Sequence, residues 1–426
     1  MFKPKQVWLV VLLGTNLFAG ETWWQPAWNR RCRLVVAGAG RKVNSLPITI
    51  TGKQLKALAG SENLFLGSLR VVAAGREVPC QVDEFDGGQH PAAANHMLDD
   101  NDELVFQADI PAGGTELWLY WSTQPLPPPV YPSTSFLAEA MDPDIFQHDL
   151  QLWNDNVFLG LKGPARGTDP ARNSLENWGA GCLVMMDFFR KPVLHIRGAW
   201  SSIFPLGAIA GQPGPDANRW QRPTPLVSGP VRISALTSLS GAAVKTASEE
   251  IKMDLVHRVW LYQQGALVCF EEFLSPAQEV KNFRQEFSFG FQFSRPEAET
   301  IWYGQAGSCR SFTPDAQGLQ AAAENKIIAS ASGLEDWFAW YCPGEKSGYG
   351  YFLDKAWPGE KRENNFYTRN YGAFRSSRLF PVLTEKSVVV HRFWASGLKD
   401  VETADVQAFS RLLTQAQITF SPVEKK

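Results

Sequence analysis

Phe283 to Phe293 reads FRQEFSFGFQF, and in it Phe287, Phe289, Phe291 and Phe293 alternate with Ser288, Gly290 and Gln292. A period of two over that length puts four rings on one face of a strand and has no counterpart in a helix. Working outward, Val256 to Tyr262 and Ala266 to Phe270 flank Gln263 to Gly265 and read as a hairpin. Ser387 to Trp394 is a further strand. Upstream, Cys32 to Ala37, Pro47 to Thr51, Leu69 to Ala73, Val78 to Val82, Leu104 to Ala108 and Glu116 to Trp121 are short apolar or β-branched runs between Gly, Asp and Asn turns. That pattern predicts a small β-sandwich. Helical spacing shows only near the end, where Val406, Phe409, Leu412 and Leu413 share one side and Thr403 stands as N-cap.

A proline-rich run, QPLPPPVYP at Gln124 to Pro132, divides the chain. Each proline fixes its own φ and pushes its predecessor out of the helical region, so the run is an extended connector. The division expected is a leader at 1–20, a β-sandwich domain at 21–123, a linker at 124–140 and a larger domain at 141–426. The leader follows from Lys3 and Lys5 ahead of the apolar run Val7 to Leu13 and the small pair Ala19 and Gly20. That run is too short to span a bilayer and reads as a signal peptide, so a secreted or periplasmic protein with no integral membrane segment after its removal is expected. Removing the leader takes two lysines from 41 basic residues and leaves 39 against 43 acidic ones, a formal charge of −4. So even a balance argues against a nucleic-acid partner. Six cysteines, Cys32, Cys80, Cys182, Cys269, Cys309 and Cys342, show no Cys-x-x-Cys spacing, and both disulfides and free buried thiols remain open.

Trp337 to Arg378 holds twelve aromatic residues in forty-two, with Asn364, Asn365, Asn370, Arg362, Arg369 and Arg375 among them. A sugar offers a C–H face to stack on a ring and hydroxyls for Asn and Arg, so the segment is expected to be a loop-rich ligand region. The alternative is aromatic sheet packing without a ligand.

Gly229, Pro230, Val231 and Arg232 opening a strand, the Trp260 to Phe270 hairpin and a penultimate strand ending HRFWASG at His391 to Gly397 resemble the galactose-mutarotase-like β-supersandwich. REVPCQVDEFD at Arg76 to Asp86 and LDDNDELVFQADIPAGG at Leu98 to Gly114 resemble the leading domain of exported supersandwich proteins from polysaccharide-utilisation systems. The resemblance implies an all-β fold, a small N-terminal β-sandwich followed by a large supersandwich with few helices, and a polysaccharide or oligosaccharide partner.

Candidate chemistry concentrates in a few places. Asp99, Asp100, Asp102 and Glu103 lack the glycine of an EF-hand and run into a strand, which makes a capped turn the reading and a divalent cation such as calcium the minor alternative. No other cofactor and no metal ligand set is expected. His195 and Arg197 share a face if extended. Asn177 and Trp178 lie in ARNSLENWGAG, and Trp200, Trp220 and Arg222 follow. Glu249 with Glu250 and Glu271 with Glu272 cannot each supply two carboxylates to one site, since strand neighbours point to opposite faces; one member of each pair is expected at the surface. No Gly-x-Ser-x-Gly, HExxH, phosphate loop or dinucleotide fingerprint occurs. The residue types that remain suit β-elimination from a uronate-containing glycan. Arg369 or Arg197, with Asn177 or Asn370, would neutralise the carboxylate, His195 or His257 would be the base and Tyr367 the acid. Trp178, Trp200, Trp220, Arg222 and Tyr371 would hold substrate. The alternatives are a glycoside hydrolase with a carboxylate pair and a non-catalytic glycan-binding protein. His391, in an apolar strand, reads as structural.

Overall fold

The computed structural model describes residues 23–86, 90–91, 98–139, 149–164, 183–189, 191–195, 219–245, 250–291, 300–312, 327–330, 334–355, 359–368, 372–415 and 418–426. These residues are mostly strand, so the chain is all-β, and no helix among them is long and apolar enough to cross a membrane. The centre is a nine-stranded antiparallel sheet. Its strands run in the order Thr224–Ser228, Arg232–Lys245, Glu250–Tyr262, Leu267–Pro276, Val389–Lys399, Ser347–Leu353, Leu334–Cys342, Thr300–Gln305 and Ser308–Phe312.

One face of this sheet, the inner face, is covered by two smaller sheets. The five-stranded sheet supplies Leu152, Leu159, Met186 and Phe188, which pack against Ile233, Val259, Phe270 and Phe393. The four-stranded sheet, built on Val280–Phe291 and Gly372–Leu383, supplies Phe283 and Phe380, which pack against Leu239, Met253, Leu274 and Val389. Two separate dry cores therefore lie along the same strands. The opposite, outer face meets Phe85 and Val105 from the N-terminal strands and Val406 from the helix Thr403–Gln415.

The N-terminal strands form a sandwich in which Arg30–Ala37, Gly114–Trp121 and Arg70–Ala73 lie over Val43–Thr51, Glu103–Ile110 and Cys80–Asp83. The chain's end returns to it. Ile418–Phe420 pairs with Leu34 to Val36, and Ala408 and Leu412 of the late helix enter the sandwich core. Gln81 ties the sandwich to the nine-stranded sheet: its Oε1 accepts from the backbone of Val231 and Arg232 at 2.9 and 3.1 Å. A Cβ on Gly229 would meet the Gln81 amide at 2.2 Å, so the glycine leaves that amide its place.

Four expectations change. Val78 to Val82 is two strands, Arg76–Val78 and Cys80–Asp83, in different sheets. Pro79 between them has no N–H for a ladder, so the chain switches sheets at that point. A second helix, Gly52–Ala59, exists, started by a capping box in which Gln54 Oε1 accepts from the Thr51 N–H at 2.9 Å. The late helix begins at Thr403 itself rather than after it. The aromatic segment 337–378 is strand rather than loop wherever its course is described apart from short turns, and its first half is core. Trp337, Ala339 and Tyr341 pack on one side of their strand, Phe338 and Trp340 on the other. A central strand buried on both faces is apolar throughout. The five described cysteines, all but Cys182, are free thiols.

Candidate active site

Alternation along the strands puts Leu255, His257 and Val259 on the inner face, with Leu274, Glu272 and Phe270 beside them and Val389, His391 and Phe393 next. The register pairs Thr237 with His257, His257 with Glu272 and Glu272 with His391. Four polar residues on four adjacent strands thus form one row. It lies in the seam between the two cores, since residues on one side of it belong to the five-stranded packing and residues on the other to the four-stranded packing.

The covering sheet completes the site. Gln285 stands on the same strand face as Phe283, and its Nε2 donates to Glu272 Oε1 at 2.8 Å. The other carboxylate oxygen faces His257 Nε2 at 3.4 Å. Arg378 is the cross-strand partner of Gln285 and is buried, 3.8 Å from Asp336. Burial, with the Arg378 charge adding to it, pushes the His391 imidazole down to about 3, so it is neutral at physiological pH. Burial also lowers Arg378, against the pull of Asp336. Trp220 packs on His257 with ring centroids 4.8 Å apart and planes tilted by 34°. Its segment is held in place because Thr237 Oγ1 donates to the Gln221 carbonyl at 2.6 Å and the Gln221 N–H donates to the Ser238 carbonyl at 2.7 Å.

Glu272 thus lies between His257 and His391 in the row and is held by the neutral amide of Gln285, and carboxylate and imidazole side by side are groups that commonly pass a proton. The outer face treats the adjacent Glu271 differently. Its Oε2 accepts from Arg258 Nε and from Trp260 Nε1, each at 2.6 Å, and its Oε1 accepts from Arg392 Nε at 2.7 Å. Burial alone would raise this carboxyl, but Arg258 and Arg392 outweigh it and hold the group well below the ordinary range.

Of the residues singled out from sequence, His257 and Trp220 come together in this row. Arg222 is exposed and paired with Asp149 at 3.0 Å. His195 lies on Lys191–His195 opposite Met185, and Tyr367 on Glu360–Thr368 opposite Ala373. Asn177, Trp178, Arg197, Trp200, Arg369, Asn370 and Tyr371 lie outside the described residues. The expectation of a surface member in the pair Glu271 and Glu272 is corrected: both are buried, because each strand face there is covered. His391, read as merely structural, neighbours Glu272. Gln285, Arg378 and the place of Glu272 beside His257 went unread, although the hairpin register that joins Trp260 to Cys269 also joins His257 to Glu272. Asp102 closes the acidic turn by accepting from the Asp99 and Phe85 N–H groups, and no cluster of metal-ligating side chains occurs among the described residues.

No protein-family model and no curated protein matches the chain. Several solved structures align with it. Galactose 1-epimerase from Lactobacillus acidophilus NCFM does so with 10% identity and a TM-score of 0.40, over 63% of this chain and 100% of that one. A galactose mutarotase-like protein from Clostridium acetobutylicum shows 9% identity and a TM-score of 0.31, over 58% and 88%. An alpha-N-acetylgalactosaminidase from Bifidobacterium bifidum shows 12% identity and a TM-score of 0.35, over 66% and 38%. Galactose-mutarotase-like proteins are thus among the structures this chain is similar to.

Proposed function

We propose that the chain is an exported carbohydrate-active enzyme whose inner-face row moves protons on a sugar ring, and that its reaction is β-elimination on a uronate-containing glycan. The observation that carries this is Glu272, a buried carboxylate held by Gln285 and flanked by His257 and His391. In the elimination, a base takes the proton at C5, its electron pair forms the C4–C5 double bond as the C4–O bond breaks, and the departing oxygen takes up a proton. Glu272 is the base, and His257 shares the proton it gains. Neutral His391 offers hydrogen bonding to the ring without competing for that proton. Arg378 supplies the positive charge that makes C5–H acidic when a uronate carboxylate lies near it. The acid for the departing oxygen is Tyr367, and Trp220, half-buried beside His257, is the ring on which the sugar stacks.

A glycoside hydrolase needs two carboxyl groups roughly 5 to 10 Å apart across one bond. The row contains one carboxylate, Glu271 projects to the other face, and Asp336 sits against Arg378. These placements favour proton transfer over displacement.

The test is incubation of the purified full chain with acidic polysaccharides, following the ultraviolet absorbance of unsaturated uronate, with neutral glycosides and polarimetry of free aldoses in parallel. Unsaturated product that falls at least 100-fold in Glu272→Gln is expected. Cleavage of neutral glycosides without unsaturated product would overturn the elimination. Acceleration of aldose interconversion alone would keep the proton-transfer centre and remove the polymer. Equal activity of wild type and Glu272→Gln on every substrate would leave the row a purely structural feature and sink the proposal.

A further inference from the structure

A cleft of about 270 Å³ opens on the outer face of the nine-stranded sheet, far from the seam in chemistry as well as in facing. It lies where Val43–Thr51 of the N-terminal sandwich, the end of the helix Thr403–Gln415 and the outer sheet face meet. Its lining includes Arg232 and Arg392, the carboxylates Glu103, Glu271 and Asp354, and Thr49 and Trp394. Most of these groups are anchored. Arg232 is gripped by Asp83 at 2.7 Å and by Glu103, and it lies over the Trp260 ring at 3.6 Å. Arg392 is anchored on one edge by Glu271 yet keeps 37% of its side chain exposed. The lining is therefore a preset array of donors and acceptors rather than a set of mobile surface charges, and a preset array loses little entropy on binding.

Charge decides the class of ligand. Two guanidinium groups against three carboxylates leave the lining without excess positive charge, so an anion gains nothing there. A hydroxyl suits such a lining, because it donates to a carboxylate and accepts from a guanidinium at the same time. Size decides the length. The volume lies just under the ~300 Å³ at which ligand pockets usually begin, which is room for one ring and not for a chain of them.

We infer that this cleft binds one neutral sugar ring, a second saccharide site on the sheet face opposite the row of His257 and Glu272. The inference stands whether or not that row is catalytic. The full chain is titrated with glucose, galactose, their N-acetylamino forms and their uronic acids, following tryptophan fluorescence and heat of binding. Saturable binding of a neutral sugar is expected, weakened about tenfold or more by Thr49→Phe, which adds a ring to the lining, and at least about threefold by Asp354→Asn, and unchanged in Glu272→Gln. Should Thr49→Phe lose cooperative unfolding, Asp354→Asn decides alone. No saturable signal with any neutral sugar would overturn the inference, since the cleft would then hold water only. Tighter binding of a uronic acid than of its neutral parent would overturn the charge argument. Loss of binding in Glu272→Gln with retention in Thr49→Phe and Asp354→Asn would move the sugar to the inner face.

Discussion

Glu271 and Glu272 are one residue apart in sequence, and the thickness of the nine-stranded sheet separates their surroundings. On the outer face, Glu271 is held by two guanidinium groups and an indole N–H, all within 2.7 Å. On the inner face, Glu272 has an amide and an imidazole. Both are buried, yet of the two it is Glu271 that is bonded to guanidinium groups. Burial of a carboxylate therefore does not mark a catalytic group by itself; the charge of what surrounds it has to be weighed with it.

The comparison is most sharply broken by Glu271→Gln. It leaves Arg258 and Arg392 facing each other without their counter-charge, and a loss of about 3–5 kcal/mol in urea unfolding is expected. A loss under about 1 kcal/mol would mean that the outer clamp is not holding the two strands. Glu272→Gln should do the reverse: a fall in turnover of 100-fold or more, about 3 kcal/mol in barrier, with unfolding changed by roughly 1 kcal/mol, since Gln can still bond Gln285. If both variants unfold alike and act alike, the two faces do not differ in function.

Acid stability separates the same two regions by window. The His391 pKa in the folded chain lies below its unfolded value near 6.5, so the unfolded chain takes the proton first. Its stability is whole above about pH 6.5 and is lost as pH falls toward 3, about 2 kcal/mol by pH 5. Glu271, lowered from 4.5, contributes stability above that value that is lost only at lower pH. Unfolding of His391→Asn followed between pH 7 and 5 should be flatter than wild type, and an unchanged slope would place the titrating group elsewhere. The smallest effect is that of Trp220→Ala, which should raise KM by up to about tenfold and leave kcat nearly unaltered. A loss of cooperative unfolding in that variant would show Trp220 to be core to the seam rather than a face for sugar.

Much of the fold was legible. Alternation identified the strands of both units, and the hairpin around Gln263 to Gly265 was read in place. The candidate site was half legible for a specific reason. His257 and Trp220 stood out by residue type, whereas Gln285 sits beside Phe283 in a strand noted for its rings, and Arg378 closes an aromatic segment whose first half is core. A polar residue inside a buried row carries information, but its partner lies on a strand about a hundred positions away in the case of Arg378 and Gln285. The motifs that carry the resemblance also hold Arg232, His391 and Arg392, which line the cleft or the seam.

From the sequence alone came the period-two strands and the rule that Glu271 and Glu272 must part company, because neighbouring strand residues face opposite ways. Only the tertiary structure decided what each would meet. Two covering sheets close over the inner face and leave a polar seam between their cores, while the N-terminal sandwich brings Asp83 and Glu103 to the charged outer face. Local geometry sets direction, and long-range strand pairing sets environment; the second is a property of contacts between distant segments, which no local pattern encodes.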